Sequence, residues 1–361
     1  MIRRGATKRV TAWALLFAGV ALAQPFDWRL SPGFPPPPVP PDNPMTTAKV
    51  ELGRRLFYDP RLSVNGRQSC ATCHRQELAF TDGRARSRGT TGQLHPRSSM
   101  SLVNVAYAPA LTWADPNLKA LEEQARIPMF GTDPVELGLK GEEDRVLDDL
   151  RRHALYPRLF AAAFPGQTEP VRLENLLKAL AAFQRSIIST RSPYDRYRYG
   201  GEEDALSAAA KRGELLFFSG EKAGCFQCHG GWNFSGPVRY EGGPEVEPEF
   251  HHTGLYEKYL APNMGLARHT GNAAHAGMFR APTLRNIALT APYMHDGSVA
   301  TLQEAIEHYA NGGRVRHAPN KSSILRPLPL SPAEKADLVE FLKSLTDREL
   351  LTDPRWEDPW R

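Results

Sequence analysis

Cys70-Ala71-Thr72-Cys73-His74 and Cys225-Phe226-Gln227-Cys228-His229 use all four cysteines of this 361-residue chain in two copies of one pattern, CxxCH. Two thiols three positions apart can each form a thioether with one vinyl group of a haem. The histidine that follows then sits against the iron as an axial ligand. Two copies therefore imply two covalently attached c-type haems. Two CxxC pairs could instead build a single zinc site, which would leave the adjacent histidines without a role. A pair of disulfides is the other arrangement, although a CxxC bridge is short and strained.

The flanks of the two motifs also match. Ala48 to Phe57 (AKVELGRRLF) precedes the first and Ala210 to Phe217 (AKRGELLF) the second, each with one glycine among large apolar residues at three-to-four spacing. That spacing predicts an amphipathic helix leading into each motif. The copies lie a domain's length apart, so the repeat is a duplicated domain rather than a short-period solenoid. Val171 to Ser189 predicts a long helix that stops before Ser192-Pro193. Ser331-Pro332-Ala333-Glu334 supplies an N-cap, a proline at the first helical position and a capping-box glutamate, and predicts a helix to about Leu345. Strand-like alternation is scarce. The expected fold is mostly α, with two cytochrome c-like haem domains, 46–198 and 199–361, and long loops.

Ahead of these domains, Arg3, Arg4, Lys8 and Arg9 form a charged leader, and Trp13 to Ala23 is a short apolar run ending in Ala21-Leu22-Ala23. This predicts a signal peptide over 1–23, hence export to the periplasm, where c-type haem is attached. Residues 24–45 include PGFPPPPVPPDNP (32–44), a polyproline II-like arm expected to act as a spacer. The formal charge of +5 includes the four leader cations. Without them about +1 remains, and haem carboxylates would lower it further, so charge points to neither nucleic acid nor membrane.

The order of residues resembles the bacterial di-haem cytochrome c peroxidases and, within them, the MauG-like enzymes, over roughly residues 46 to 345. CATCHRQELAFTDGRARSRGTTG (70–92), SLVNVAYAPALTW (101–113) and FRAPTLRNIALTAPYMHDGSVATLQEAIEHYANGG (279–313) carry the resemblance. It implies a haem-dependent oxidoreductase whose first haem, on His74, meets hydrogen peroxide and whose second, on His229, passes electrons or holes. In the ordinary peroxidases a loop histidine caps the first iron until reduction releases it. The matching position here is Thr91, a poor iron ligand, with His95 four residues on as a substitute; the expectation is an open first haem. Gln124 and Glu136 match the family's distal glutamine and glutamate, and Pro128 a proline that closes the distal pocket. A carboxylate there can take a proton from bound peroxide and return it to the leaving oxygen. Judged by residue type alone, Glu136 is a surface acid and Pro128 a helix stop.

The peroxidases place a methionine ligand of the second iron fourteen residues after the histidine matching His295; here that position is Tyr309. A tyrosinate stabilises high-valent iron where methionine favours ferrous, and this exchange is the MauG-like feature. Met278, Met294 and His308 are competing ligands, and a packed aromatic is the plain alternative for Tyr309. By the same resemblance Trp113 lies between the haems, and Ser98, Thr290 and Pro292 match ligands of an interhaem calcium ion, although the family usually has asparagine in place of Ser98. MauG's surface tryptophan before the second motif is replaced here by Ala223, which leaves Phe226 and Trp232 as hole-exit candidates.

Residues 95–139 look most like the MbnH-type branch. That branch is associated with methanobactin clusters and oxidises a tryptophan of a partner protein, MbnP, to kynurenine. The resemblance implies a bis-Fe(IV)-like state and an MbnP-like protein substrate. One rival is a peroxidase that reduces hydrogen peroxide with electrons from a small cytochrome. The other is a non-catalytic di-haem electron carrier.

Overall fold

The computed structural model describes residues 26–361; the leader over 1–23 lies outside the described residues. Among the described residues the chain is mostly helical, with one two-stranded antiparallel sheet that pairs Phe250–His252 with Met278–Arg280. Among the described residues no helix is long and apolar enough to cross a membrane.

Two hydrophobic cores organise the helices, and each is built on the same crossing. In the first, helix Thr47–Tyr58 packs on helix Leu173–Arg185. Gly53 lies at the contact, where a Cβ would collide with the Ala179 carbonyl oxygen. In the second, helix Ala208–Phe218 packs on helix Pro332–Ser344, and a Cβ on Gly213 would collide with the Asp337 carbonyl oxygen. The repeated glycine is thus the residue that lets two helix backbones approach in each half. The C-terminal helix is capped by Ser331 with Glu334 reaching back, as its motif predicts. The long helix predicted over Val171–Ser189 is trimmed at both ends to Leu173–Arg185.

Three features depart from a simple two-bead chain. Tyr194, in a helix that starts at Pro193, already packs in the second core, so the cores divide a few residues before 198. The C-terminal tail returns to the first core, where Leu350 and Trp356 are buried. The Gln76 amide donates to the Leu350 carbonyl at 2.8 Å, and the Tyr58 hydroxyl to that of Trp356 at 2.7 Å. The proline-rich arm is a strap, not a free spacer. Its Phe34 is 7% exposed and stands edge-on to Tyr199 and Trp232, with ring centroids 5.4 and 5.3 Å away. Tyr107 donates to the Pro35 carbonyl at 2.8 Å, and the Asn43 amide to Glu122 at 2.7 Å. The arm therefore crosses the seam between the halves. The proline-rich composition correctly excludes helix there, but one buried aromatic and one buried amide are enough to pin it.

The seam itself is polar and satisfied. Asn104 exchanges hydrogen bonds with the Ser189 backbone and donates to Asn233 at 2.9 Å. Asn286 donates to the Ser189 hydroxyl at 3.0 Å and accepts from the Asp347 N–H at 2.8 Å. Asn104 and Asn286 both have left-handed backbones (φ 56° and 58°) and both open a short 3-10 turn, a second mark of the duplication.

Candidate active site

Each CxxCH motif ends in a histidine locked by a backbone carbonyl. His74 Nδ1 lies 2.8 Å from the Phe80 oxygen, and His229 Nδ1 lies 3.1 Å from the Pro282 oxygen and 3.2 Å from the Phe234 oxygen. A carbonyl only accepts, so Nδ1 carries the proton and Nε2 is left bare. Burial lowers the basicity of both rings, His229 to about 4, which keeps them neutral and fit to hold a metal. The four thiols are free. Burial pushes Cys70 and Cys225 up to about 12 and Cys73 and Cys228 up to about 11. Cys70 packs against the first core and Cys225 against the second, so the two pairs do not meet in one zinc site. Among the described residues no three His, Cys, Asp or Glu side chains gather as a metal site would require.

A cavity of about 400 Å³ opens beside the first motif, lined by Cys70, Cys73 and His74 and also by Gln124, Pro128, Glu136 and Trp113. Its mostly apolar walls, two thiols and one bare imidazole nitrogen fit a haem. Gln124 ends the short helix Leu121–Gln124, and Pro128 lies within the next, Arg126–Phe130, not at its stop. The Pro128 carbonyl accepts from the Leu137 N–H at 2.9 Å and so anchors the segment that bears Glu136.

The loop expected to lack an iron ligand has another task. Thr90 donates its N–H to the Glu136 carbonyl at 2.8 Å, the Gln93 side chain accepts from the Val135 N–H at 3.1 Å, and Gly89 lies against the Val135 carbonyl, where no side chain would fit. Thr91 is exposed and does not line the cavity; His95 does. Its Nε2 lies 3.6 Å from Glu136 Oε1. Burial pushes the Glu136 carboxyl up to about 7, which poises it to take and return a proton near neutrality.

Trp113 lines this cavity and a smaller one of about 110 Å³ between the halves. Its indole N–H donates to the Ser98 carbonyl at 3.1 Å. Ser98, Thr290 and Pro292 share the smaller cavity, and so do Arg280 and Arg285. No carboxylate lines it, and the Ser98 hydroxyl is spent on the Met294 carbonyl at 3.1 Å. Neutral oxygens alone, with the Arg280 guanidinium nearby and that of Arg285 paired with Asp195 at 2.8 Å, fit a calcium ion poorly.

On the second side, Tyr309 is half-buried in helix Leu302–Ala310. Burial, with Cys228 and Cys225 adding to it, pushes its phenol well above the usual range. The competing His308 spends Nε2 on the Thr253 carbonyl at 3.0 Å. Met294 lines the interdomain cavity, and Met278 lies in the short sheet opposite His252. Ala223 is buried in the second core. Phe226 is 37% exposed, and Trp232 is half-buried beneath Phe34 and Tyr107. Sequence reasoning missed what pins the arm, the return of the tail, and the Glu136 side of His95. The only signal for the last was a histidine beside a proline, which reads as a turn.

A family model described as di-haem cytochrome c peroxidase matches residues 47–204. The chain is 36% identical over 315 residues to the methylamine utilization protein MauG of Methylorubrum extorquens, covering 85% of this chain and 81% of that one. It is 38% identical over 348 residues to the cytochrome-c peroxidase IdrP1 of Denitromonas iodatirespirans, covering 89% and 88%. Among solved structures, a MauG-like protein associated with microbial copper homeostasis superposes with a TM-score of 0.90 at 47% identity, covering 93% of this chain and all of that one. The diheme peroxidase BthA of Burkholderia thailandensis shares the fold, with a TM-score of 0.67 at 21% identity.

Proposed function

The chain belongs to the di-haem cytochrome c peroxidase family that includes MauG, and from that premise we propose that this haem-dependent oxidoreductase uses hydrogen peroxide to oxidise a tryptophan of a periplasmic partner protein. When bound, through thioethers to Cys70 and Cys73 and to Cys225 and Cys228, the two haems supply the redox chemistry. Everything else falls to this chain's own side chains. His74 and His229 would hold the irons through their bare Nε2 atoms, and Tyr309 would be a further ligand of the second. Glu136 takes a proton from peroxide and returns it to the departing oxygen, Gln124 orients the peroxide, and Pro128 holds the wall. Trp113 lies on the path between the two halves. The observation that carries the reading is that Glu136, Gln124, Pro128 and His74 line one cavity whose wall, Trp113, also lines the cavity between the domains.

The 47% identity to a MauG-like protein associated with microbial copper homeostasis supports the MauG-like side of this reading, and the MbnP-like substrate is part of the proposal. The ordinary peroxidase reading, with a small cytochrome as donor, draws on relatives named as cytochrome-c peroxidases and on His95 lining the first cavity. One experiment separates them. Stoichiometric hydrogen peroxide is added to the fully ferric protein enriched in iron-57, and Mössbauer spectra are recorded. Loss of both ferric signals without prior reduction supports the protein oxidase; no reaction until one haem is reduced transfers the case to the peroxidase. Mass spectrometry of an exported tryptophan-bearing partner, before and after turnover, tests the product.

A further inference from the structure

We infer that His95 is the positioning residue of the peroxide cavity, holding the Glu136 carboxylate through an Nε2–H donor so that the acid's other oxygen is free to move the proton. The inference rests on the reading of Glu136 as the proton-moving group and adds to it a residue of this chain's own loop. The two side chains are about one-third exposed (31% and 34%), and both line the cavity. Nε2 and Oε1 lie 3.6 Å apart, a separation that a small rotamer adjustment closes to a hydrogen bond when the cavity is filled.

The backbone of Arg97 holds the other ring nitrogen, Nδ1. His95 Nδ1 lies 3.2 Å from the Arg97 N–H and 3.1 Å from the Arg97 carbonyl. Two tautomers fit, Nδ1 accepting from the Arg97 N–H with the proton on Nε2 or donating to the Arg97 carbonyl with Nε2 bare, and we infer the first. That tautomer is the one that can donate to a carboxylate, and it is also the one whose Nε2 cannot bind iron. Burial lowers the basicity of the ring, with the Arg97 carbonyl opposing it and the Arg97 charge adding to it. A neutral donor on the ionised acid opposes the desolvation that otherwise holds the proton on Glu136. The other charged groups lining the cavity are Arg88, Arg97, Asp115, Asp133, Arg268 and His269, of which His269 is paired with Asp115 at 3.4 Å.

In the proton step, hydrogen peroxide gives one proton to Glu136. The same proton goes back to the far oxygen, which leaves as water; the haem that His74 would hold would supply the two electrons for the O–O cleavage and accept the oxygen left behind. His95 keeps its own proton throughout, so the exchange is neutral in protons.

The test uses the ferric holoprotein and two readouts that are not turnover. Infrared difference spectra titrate the protonated carboxyl band of Glu136. Stopped-flow cyanide binding is followed against pH, because hydrogen cyanide must give up its proton to a cavity base before it binds. His95→Ala is expected to move both inflections upward by about one pH unit, a roughly ten-fold slowing near neutrality. His95→Gln, which keeps an N–H at the same reach, restores most of the shift. Melting curves separate this from loss of fold. Unmoved inflections in His95→Ala overturn the inference. So does a low-spin first haem that becomes high-spin on His95→Ala, since His95 would then be an iron ligand. Glu136→Gln separates the two levels. If it abolishes the inflections while His95→Ala leaves them in place, only the inference fails. If it leaves them in place, the reading of Glu136 fails first.

Discussion

The two halves share a CxxCH motif, a helix crossing over a glycine and a histidine locked through Nδ1 by a backbone carbonyl, yet they face their sites differently. Opposite His74 lies a cavity with a carboxyl pushed to about 7, an amide and a histidine. For the second motif the proposed counterpart is a phenol, Tyr309, on a short capped helix. The proximal side, which only has to hold iron, was copied. The distal side, which decides what the iron does, was not. A duplicated scaffold divides labour by changing a few side chains on loops and helix faces that the cores do not constrain.

The strongest way to break that contrast is Glu136→Gln. It should slow the reaction with hydrogen peroxide by about 10²- to 10⁴-fold in stopped-flow while leaving the spectrum of the second haem unchanged. The wild-type rate should rise through about pH 7 as the acid ionises, and the variant should lose that limb. The same group ties pH to stability. Its folded carboxyl keeps a proton up to about pH 7, against 4.5 for the ordinary group, so the folded state binds more protons between those values. Its contribution to stability is therefore full below about pH 4.5 and is lost as pH rises through about 7, which denaturant melts at several pH values would register.

Tyr309→Met addresses the other half. It should raise the potential of the second haem by a sizeable part of the roughly 0.8 V over which axial ligands act, read by spectroelectrochemistry, with the first haem unmoved. An unchanged potential would remove Tyr309 as the ligand. Gly53→Ala and Gly213→Ala test what the halves share. Each should cost about 1–3 kcal/mol in thermal melts, because a methyl group must push two helix backbones apart, and the two losses should be similar. The smallest effect is reserved for calcium. With only neutral oxygens and two arginines around the interdomain cavity, calorimetry should find a dissociation constant of about 10⁻⁴ M or weaker, and a chelator should leave the haem spectra alone. Tight binding would show that the cavity holds charge beyond its protein side chains.

Much of this was legible in the chain. The CxxCH spacing, the paired glycines and the capping box at Ser331 are local patterns with local physical causes, and by themselves they mark a duplicated helical frame. The gathering of Gln124, Glu136 and Pro128 around His74 was readable only through resemblance, since nothing in their spacing says that three loop residues meet. The strap made by Phe34, the tail and the contact of His95 with Glu136 were not readable. Each is a long-range or loop-to-loop contact between residue types that are ordinary in their own neighbourhoods.

The returning tail has a consequence for how the molecule is made. Leu350 and Trp356 complete a core whose first helix begins at Thr47, so residues that follow the second domain along the chain are needed by the first domain to form. The first half cannot finish before the second has been synthesised, and a chain cut short at its end is left with a hole in its beginning.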